Sequence, residues 1–168
     1  TRPTEYDRIR ETVRLVAPFF DDFVLDPPRE NGDYVMLNWR CRGSEYEFGP
    51  HQLSDGTLRF VALAALLLQP RGFLPALIAI DEPELGLHPY AIKVLASMLK
   101  EASEATQVLV ATQSAALVDE VEPEDVLVAN YAESASRFER LSADRLKEWL
   151  AEYTLSQLWT MNVIGGRP

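Results

Sequence analysis

Leu77-Ile78-Ala79-Ile80-Asp81-Glu82-Pro83-Glu84 reads as a short buried β-strand that ends on two adjacent carboxylates. Four apolar residues in succession suit a short buried strand, and Pro83 stops the run. In open α/β sheets the ligand crevice lies beyond the carboxyl ends of the strands, so this edge is where Asp81 and Glu82 would meet a ligand. Phosphate-handling α/β proteins use such a pair to place a Mg²⁺-holding carboxylate beside a water-activating one. Taken alone, the pair also suits a polar strand ending that caps the next helix. The apolar run before it and the proline after it favour the ligand-facing placement. Asp81 is then expected to hold Mg²⁺, directly or through water, and Glu82 to polarise the attacking water.

Working outward, Leu58 to Leu68 is apolar nearly all round and predicts a buried helix, ended by Pro70, Gly72 and Pro75. At its head stands Leu53-Ser54-Asp55-Gly56-Thr57. A serine before a glycine at a helix N-terminus offers an anion a hydroxyl, backbone N–H groups and the positive end of the helix dipole. The same residues also suit a plain N-cap, Ser54, followed by a tight turn at Gly56. Downstream, Pro89 starts a helix with the stripe Ile92, Leu95, Leu99 and Ala102, and Val108 to Ala111 is the next strand. Thr112, Gln113 and Ser114 follow it. Ser114 suits a cap on the short helix it opens, whereas Gln113 is left for a γ-phosphate or the attacking water. Val126 to Ala129 reads as a third apolar strand, and this alternation of β and α elements implies a parallel sheet.

The flanks are plainer. Tyr6, Ile9, Val13 and Val16 predict an amphipathic helix between the N-cap Thr4 and Pro18. A short strand from Phe23 to Leu25 is parted by Pro27, Pro28, Asn31 and Gly32 from an alternating run, Val35, Leu37, Trp39 and Cys41. Arg42, Gly43 and Ser44 turn that run into Tyr46 and Phe48, giving a small antiparallel element over 33–48. Ser142 is expected to cap a helix carrying Leu146, Trp149, Leu150 and Tyr153. The tail from Leu155 is semi-apolar and ends in Gly165, Gly166 and Arg167, where a frayed terminus is favoured over a phosphate contact.

A chain of 168 residues, 47% apolar, accommodates one domain with a real core. Its net charge of −10 repels a phosphate backbone, so nucleic-acid binding is not supported for this piece. The one cysteine, Cys41, forms no internal disulfide, and no signal peptide or long apolar span is read, so a cytoplasmic location off the membrane is expected. His51 and His88 sit in no cluster that would suggest zinc. The sequence holds no G-x-x-x-x-G-K-[ST] loop, and its first residue is Thr1. The phosphate-gripping segment is therefore expected upstream, in a longer parent.

Leu-Ser-Asp-Gly-Thr at 53–57, Leu-Ile-Ala-Ile-Asp-Glu-Pro at 77–83, Gly-Leu-His-Pro at 86–89 and Val-Ala-Thr-Gln-Ser at 110–114 together resemble the C-terminal half of an ABC-type ATPase head. In order they look like the signature motif, Walker B, D-loop and switch loop. The resemblance is to the non-transporter heads of the RecF, Rad50, SMC and OLD group, and particularly to the predicted bacterial AAA-family ATPases. It covers Leu53 to about Val118, and the ending from Asn162 to Pro168 is similar too. The resemblance implies an α/β, P-loop NTPase-like fold: a mainly parallel sheet with flanking helices and the small antiparallel β element. Residues 1–168 are expected to form a single domain lacking the Walker A lobe, with the core at 53–130 and a helical tail at 142–168.

The function implied is ATP hydrolysis in a dimer, with ATP and Mg²⁺ sandwiched between one protomer's Walker A and B and the partner's signature motif. Ser54, Asp55 and Gly56 form the nucleotide-binding set, Ser54 and Gly56 meeting the γ-phosphate of the partner's ATP. Asp81 is the metal ligand, Glu82 and Gln113 the catalytic pair, and Glu84 to Pro89 lie at the dimer interface. The partner is a second copy or the chain's own missing Walker A lobe; nucleic acid stays open for the parent. Three departures bear on this. Asp55 replaces a glycine and brings a negative charge near phosphate, so it is expected to contact backbone or the D-loop. Gln113 replaces a histidine and cannot carry its proton, which implies slower hydrolysis or a lesser role. Without Walker A, this piece alone is expected to be inactive. Two other readings stay open: a non-hydrolysing dimerisation or scaffold module, and a metal-dependent nuclease using Asp81, Glu82 and Glu84.

Overall fold

A computed structural model describes residues 4–25 and 35–166. The turn residues Pro27, Pro28, Asn31 and Gly32, the start of the 33–48 element and Arg167 lie outside the described residues. The chain divides into two compact units, Thr1–Ala111 and Thr112–Pro168.

The first unit opens with α1 (Glu5–Val16). Thr4 starts it through a capping box: its hydroxyl accepts from the Asp7 N–H at 3.2 Å, and the Asp7 carboxylate accepts from the Thr4 N–H at 3.1 Å. Val13 carries the buried stripe. β1 (Phe20–Val24), β2 (Asn38–Cys41) and β3 (Glu47–Phe48) form an antiparallel sheet with Phe23 opposite Trp39 and Trp39 opposite Phe48. β1 starts three residues before the expected Phe23, because Phe20 is fully buried and packs on Phe23 and Trp39. Val35 and Leu37 precede the paired residues of β2. Stacking of Trp39 on Phe48, with ring centroids 4.7 Å apart, gives this small sheet its core. The Tyr6 hydroxyl ties α1 to β1 by donating to Asp22 at 2.5 Å. Burial first, then that hydrogen bond and the nearby carboxylate charge, push the phenol up to about 12.

α2 (Asp55–Leu67) buries Gly56, Phe60, Val61, Leu63, Ala64 and Leu67, as its all-round apolar sequence requires. β4 (Leu77–Asp81) and β5 (Gln107–Ala111) pair in parallel, Leu77 beside Gln107 and Asp81 beside Ala111. Between them runs α3 (Pro89–Ser103), whose expected stripe Ile92, Leu95, Leu99 and Ala102 is buried. β4 is less buried than its sequence predicts. Ile78 is 4% exposed, but Leu77 and Leu109 are 51% and 54% exposed on the opposite face, where Ala79 and Ala111 are also open. The apolar run has the composition of a strand inside a parallel sheet, while α3 packs against β5 and the face with Leu77 and Leu109 stays open.

In the second unit α4 (Ala115–Val118) is capped by Ser114, which accepts from the Leu117 N–H at 3.3 Å. The expected third parallel strand is corrected: β6 (Leu127–Ala132) pairs antiparallel with β7 (Ala135–Arg140). The reason is the turn. Glu133 and Ser134 take φ values of 53° and 62°, the double left-handed step of a two-residue hairpin, without the usual Asn or Gly to announce it. α5 (Ala143–Leu150) and α6 (Leu155–Thr160) follow. Leu146, Leu155 and Leu158 form their core with Val126 and Ile164 packed against it. The tail is not frayed as far as Gly166. The Gly166 N–H donates to the Asn130 side-chain oxygen at 2.8 Å, and its carbonyl accepts from the Trp159 indole at 3.2 Å. Among the described residues, no helix is long and apolar enough to cross a membrane.

Candidate functional site

Ser54 has the extended backbone of an N-cap, and its hydroxyl oxygen lies 3.2 Å from the Thr57 N–H and 2.8 Å from the Thr57 hydroxyl. The cap fixes where α2 starts. Asp55 becomes its first residue, exposed, with its charge at the favourable end of the helix dipole. The N–H groups of the first turn have no intrahelical acceptor, so Asp55 and Gly56 present donors at this end. Gly56 is buried, and glycine is required there: a Cβ would sit 2.2 Å from the Gly86 carbonyl oxygen and 2.9 Å from its carbon.

β4 delivers Asp81 at its C-terminal end, exposed, with Ala111 as its register partner. Glu82 leaves the strand sharply, at φ 47°, a left-handed conformation that is strained for a side chain of this size. Its N–H still donates to the Ala111 carbonyl at 2.8 Å, and its own carbonyl accepts from the Leu85 N–H at 3.2 Å. Pro83 and Glu84 are buried, and the Leu87 N–H donates to the Glu84 carbonyl at 2.9 Å. Gly86, at φ 79°, completes the turn. His88 then caps α3, its Nδ1 accepting from the Tyr90 N–H at 3.2 Å, with Pro89 in the first turn. The side chains of Leu85 and Tyr90 stay exposed, 59% and 50%. A shallow groove of about 220 Å³, lined by Ala79, Ile80, Asp81, Leu109 and Ala111, runs along the open sheet face to the first carboxylate.

The first unit therefore brings Gly56 to the turn that follows Glu82, through the Gly56–Gly86 backbone contact. A side-chain bond makes a second bridge: the Arg59 guanidinium donates to the Glu82 carbonyl at 3.2 Å. Sequence reasoning missed Arg59, although a lone cation inside an apolar helix was a visible signal. Gln113 falls in the second unit, exposed, between Thr112 and Ser114, whose own N–H donates to the Thr112 hydroxyl at 2.9 Å. Among the described residues, no three acidic, histidine or cysteine side chains converge on a metal position. The single exposed carboxylate of Asp81 nonetheless suits Mg²⁺, which typically keeps several waters and takes one or two carboxylates, the rest of its shell coming from substrate phosphates.

A family model described as "AAA domain, putative AbiEii toxin, Type IV TA system" matches residues 10–119, well over half of the chain. The chain belongs to this AAA-domain family. No curated protein sequence matches it. Among solved structures, it is similar to an SMC ATPase studied for ATP-driven dimerisation and DNA-stimulated activation, at 17% identity and a TM-score of 0.64, over 88% of this chain and 89% of that one. It is also similar to the SMC head with an extended coiled coil from Pyrococcus furiosus, bound to the C-terminal domain of ScpA. There the identity is 17% and the TM-score 0.67, over 88% of this chain and 37% of the other. For the SMC head of Thermotoga maritima the values are 18% and 0.55, over 82% and 47%. These likenesses show the fold, an α/β fold of the P-loop NTPase type. The AAA-domain chain spans nearly all of the first structure and less than half of the other two.

Proposed function

We propose that this chain supplies the signature and Walker B part of an ABC-like ATPase head that hydrolyses ATP in a dimer. The observation that carries the reading is the end of β4. A strand of a parallel pair delivers Asp81 at the edge where α/β folds bind ligands, and the next residue is a second carboxylate held in a strained backbone. In this reading Asp81 holds Mg²⁺, whose charge offsets that of the phosphates. Glu82 accepts a proton from water as the water oxygen attacks the γ-phosphorus, and the bond to the oxygen bridging to the β-phosphorus breaks, leaving ADP and phosphate. Gln113, at the switch-loop position, can donate and accept hydrogen bonds but cannot carry a proton. Ser54 and Gly56, at the N-terminus of α2, bind the γ-phosphate of the partner's nucleotide. The residues from Glu84 to Pro89 form the dimer contact, for which the exposed Leu85 and Tyr90 provide apolar area.

The open face of β4 and β5 supports a further part of the reading. Leu77, Ala79, Leu109 and Ala111 leave one side of a parallel pair uncovered, and parallel sheets are stable when both faces are covered. A Walker A lobe seated there would complete the sheet and grip the nucleotide, and residues 1–168 would then form one head with it. The buried Glu84 beside the exposed Asp81 weighs against the three-acid nuclease arrangement. The test is Glu82→Gln in the full-length protein. ATP binding stays and turnover is lost; an unchanged turnover rate removes Glu82 from the mechanism.

A further inference from the structure

The reaction proposed above gives no task to the only basic residue of α2. Arg59 is exposed, and a side chain of its length has free access to water, yet its Nη1 donates to a backbone carbonyl, that of Glu82, at 3.2 Å. The same carbonyl accepts from the Leu85 N–H at 3.2 Å, and the Glu82 N–H is held by Ala111 at 2.8 Å. Both sides of one residue are thus fixed, by β5, by the turn that follows and by α2. That residue is the one whose φ of 47° a glutamate does not adopt unaided. A left-handed non-glycine residue persists where its surroundings over-determine it. Here the surroundings are countable, and one of them is a side chain that can be removed.

We infer that Arg59 is a positioning residue for Glu82, holding the carbonyl of the general base so that its carboxylate is aimed at the nucleotide. The inference rests on the reading of Glu82 as that base. Arg59 lies one helical turn beyond Ser54 and Gly56, so the bond has a directional consequence. A shift of the α2 N-terminus, such as an anion there would produce, reaches the backbone of Glu82 through one guanidinium. The Gly56–Gly86 backbone contact makes a second, parallel link to the same turn. In a dimer whose α2 N-terminus reads the partner's nucleotide, Arg59 joins that reading to hydrolysis of the protomer's own.

The experiment compares Arg59→Ala and Arg59→Lys with wild type in the full-length protein. Loosening the base is expected to lower kcat about tenfold in Arg59→Ala, a fraction of the ~10²–10⁴ that a positioned base supplies. KM for ATP is expected to stay within about twofold, because Arg59 touches no nucleotide in this account. Arg59→Lys, which keeps a cationic donor, is expected to recover most of the loss. A wild-type kcat in Arg59→Ala overturns the inference, as does a loss carried by KM alone. Amide hydrogen exchange gives an answer that needs no turnover: the Leu85 N–H, which shares the acceptor, exchanges faster in Arg59→Ala. Unchanged exchange there overturns the positioning role. Absence of turnover in the wild type would instead overturn the general-base reading, with the exchange result still deciding on Arg59.

Discussion

Gly56→Ala tests the joint between the head of α2 and the turn after Glu82. A Cβ at position 56 would lie 2.2 Å from the Gly86 oxygen and 2.9 Å from its carbon, whereas a carbon normally approaches a carbonyl oxygen no closer than about 3.3 Å. The two segments must therefore part by about 1 Å, and neither can yield by rotating a side chain, because both are backbone. Overpacking of this kind costs about 1–3 kcal/mol. Alanine returns about 0.5–1 kcal/mol, because glycine is a poor helix residue and Gly56 lies inside α2. The net expectation is a loss of about 1 kcal/mol, read as a lower urea midpoint at unchanged m-value. Gly72→Ala is the control. Nothing lies within 4 Å of a Cβ there, and the expected change is within about 0.5 kcal/mol. The same ~1 Å displacement beside Glu82 is expected to lower ATP turnover of the full-length protein by up to about 10²-fold. A Gly56→Ala protein as stable as wild type, or more so, would refute the close contact and with it the proposed link between the two motifs.

Two further predictions concern single residues. Glu82→Gly is expected to stabilise the fold by about 0.5 kcal/mol while abolishing turnover, since the left-handed conformation costs a non-glycine residue about 1–2 kcal/mol and glycine gives part of that back as chain entropy. Thermal unfolding and an ATPase assay on the same protein check both halves, and a destabilised Glu82→Gly would contradict the strain. Tyr6→Phe removes the bond to Asp22 and is expected to cost about 0.5–1 kcal/mol, the low end for a half-exposed hydrogen bond. The folded-state phenol is raised from 10.0 to about 12, so its contribution is fully present below pH 10 and fades as pH climbs through 12. The difference between wild-type and Tyr6→Phe urea midpoints should shrink across that window and stay constant below it.

What the sequence revealed, and what it hid, follows from the range of each interaction. The capped starts of α1, α2 and α4 were legible because a Ser or Thr beside its own helix is a local event, as was the apolar stripe of α3. Asp81 at a strand end was legible for the same reason. The hairpin of β6 and β7 was not, because Glu133 and Ser134 adopt left-handed conformations without glycine or asparagine, and β7 lacks an apolar alternation. The exposure of Leu77 and Leu109 was hidden too, since composition reports the environment that a strand is built for rather than the neighbours described beside it. Arg59 and Gly86 owe their importance to contacts across the fold, with Glu82 and Gly56 respectively. Spacing within a motif shows neither, although the lone charge in α2 marked one of them.

The central claim, a composite ATP site completed by a second copy, is tested most directly by light scattering on the Glu82→Gln form of the full-length protein. With ATP and Mg²⁺ its mass should double and stay doubled, because the nucleotide that joins the protomers is bound and not consumed. A mass that stays that of the nucleotide-free protein while ATP is demonstrably bound would contradict the claim.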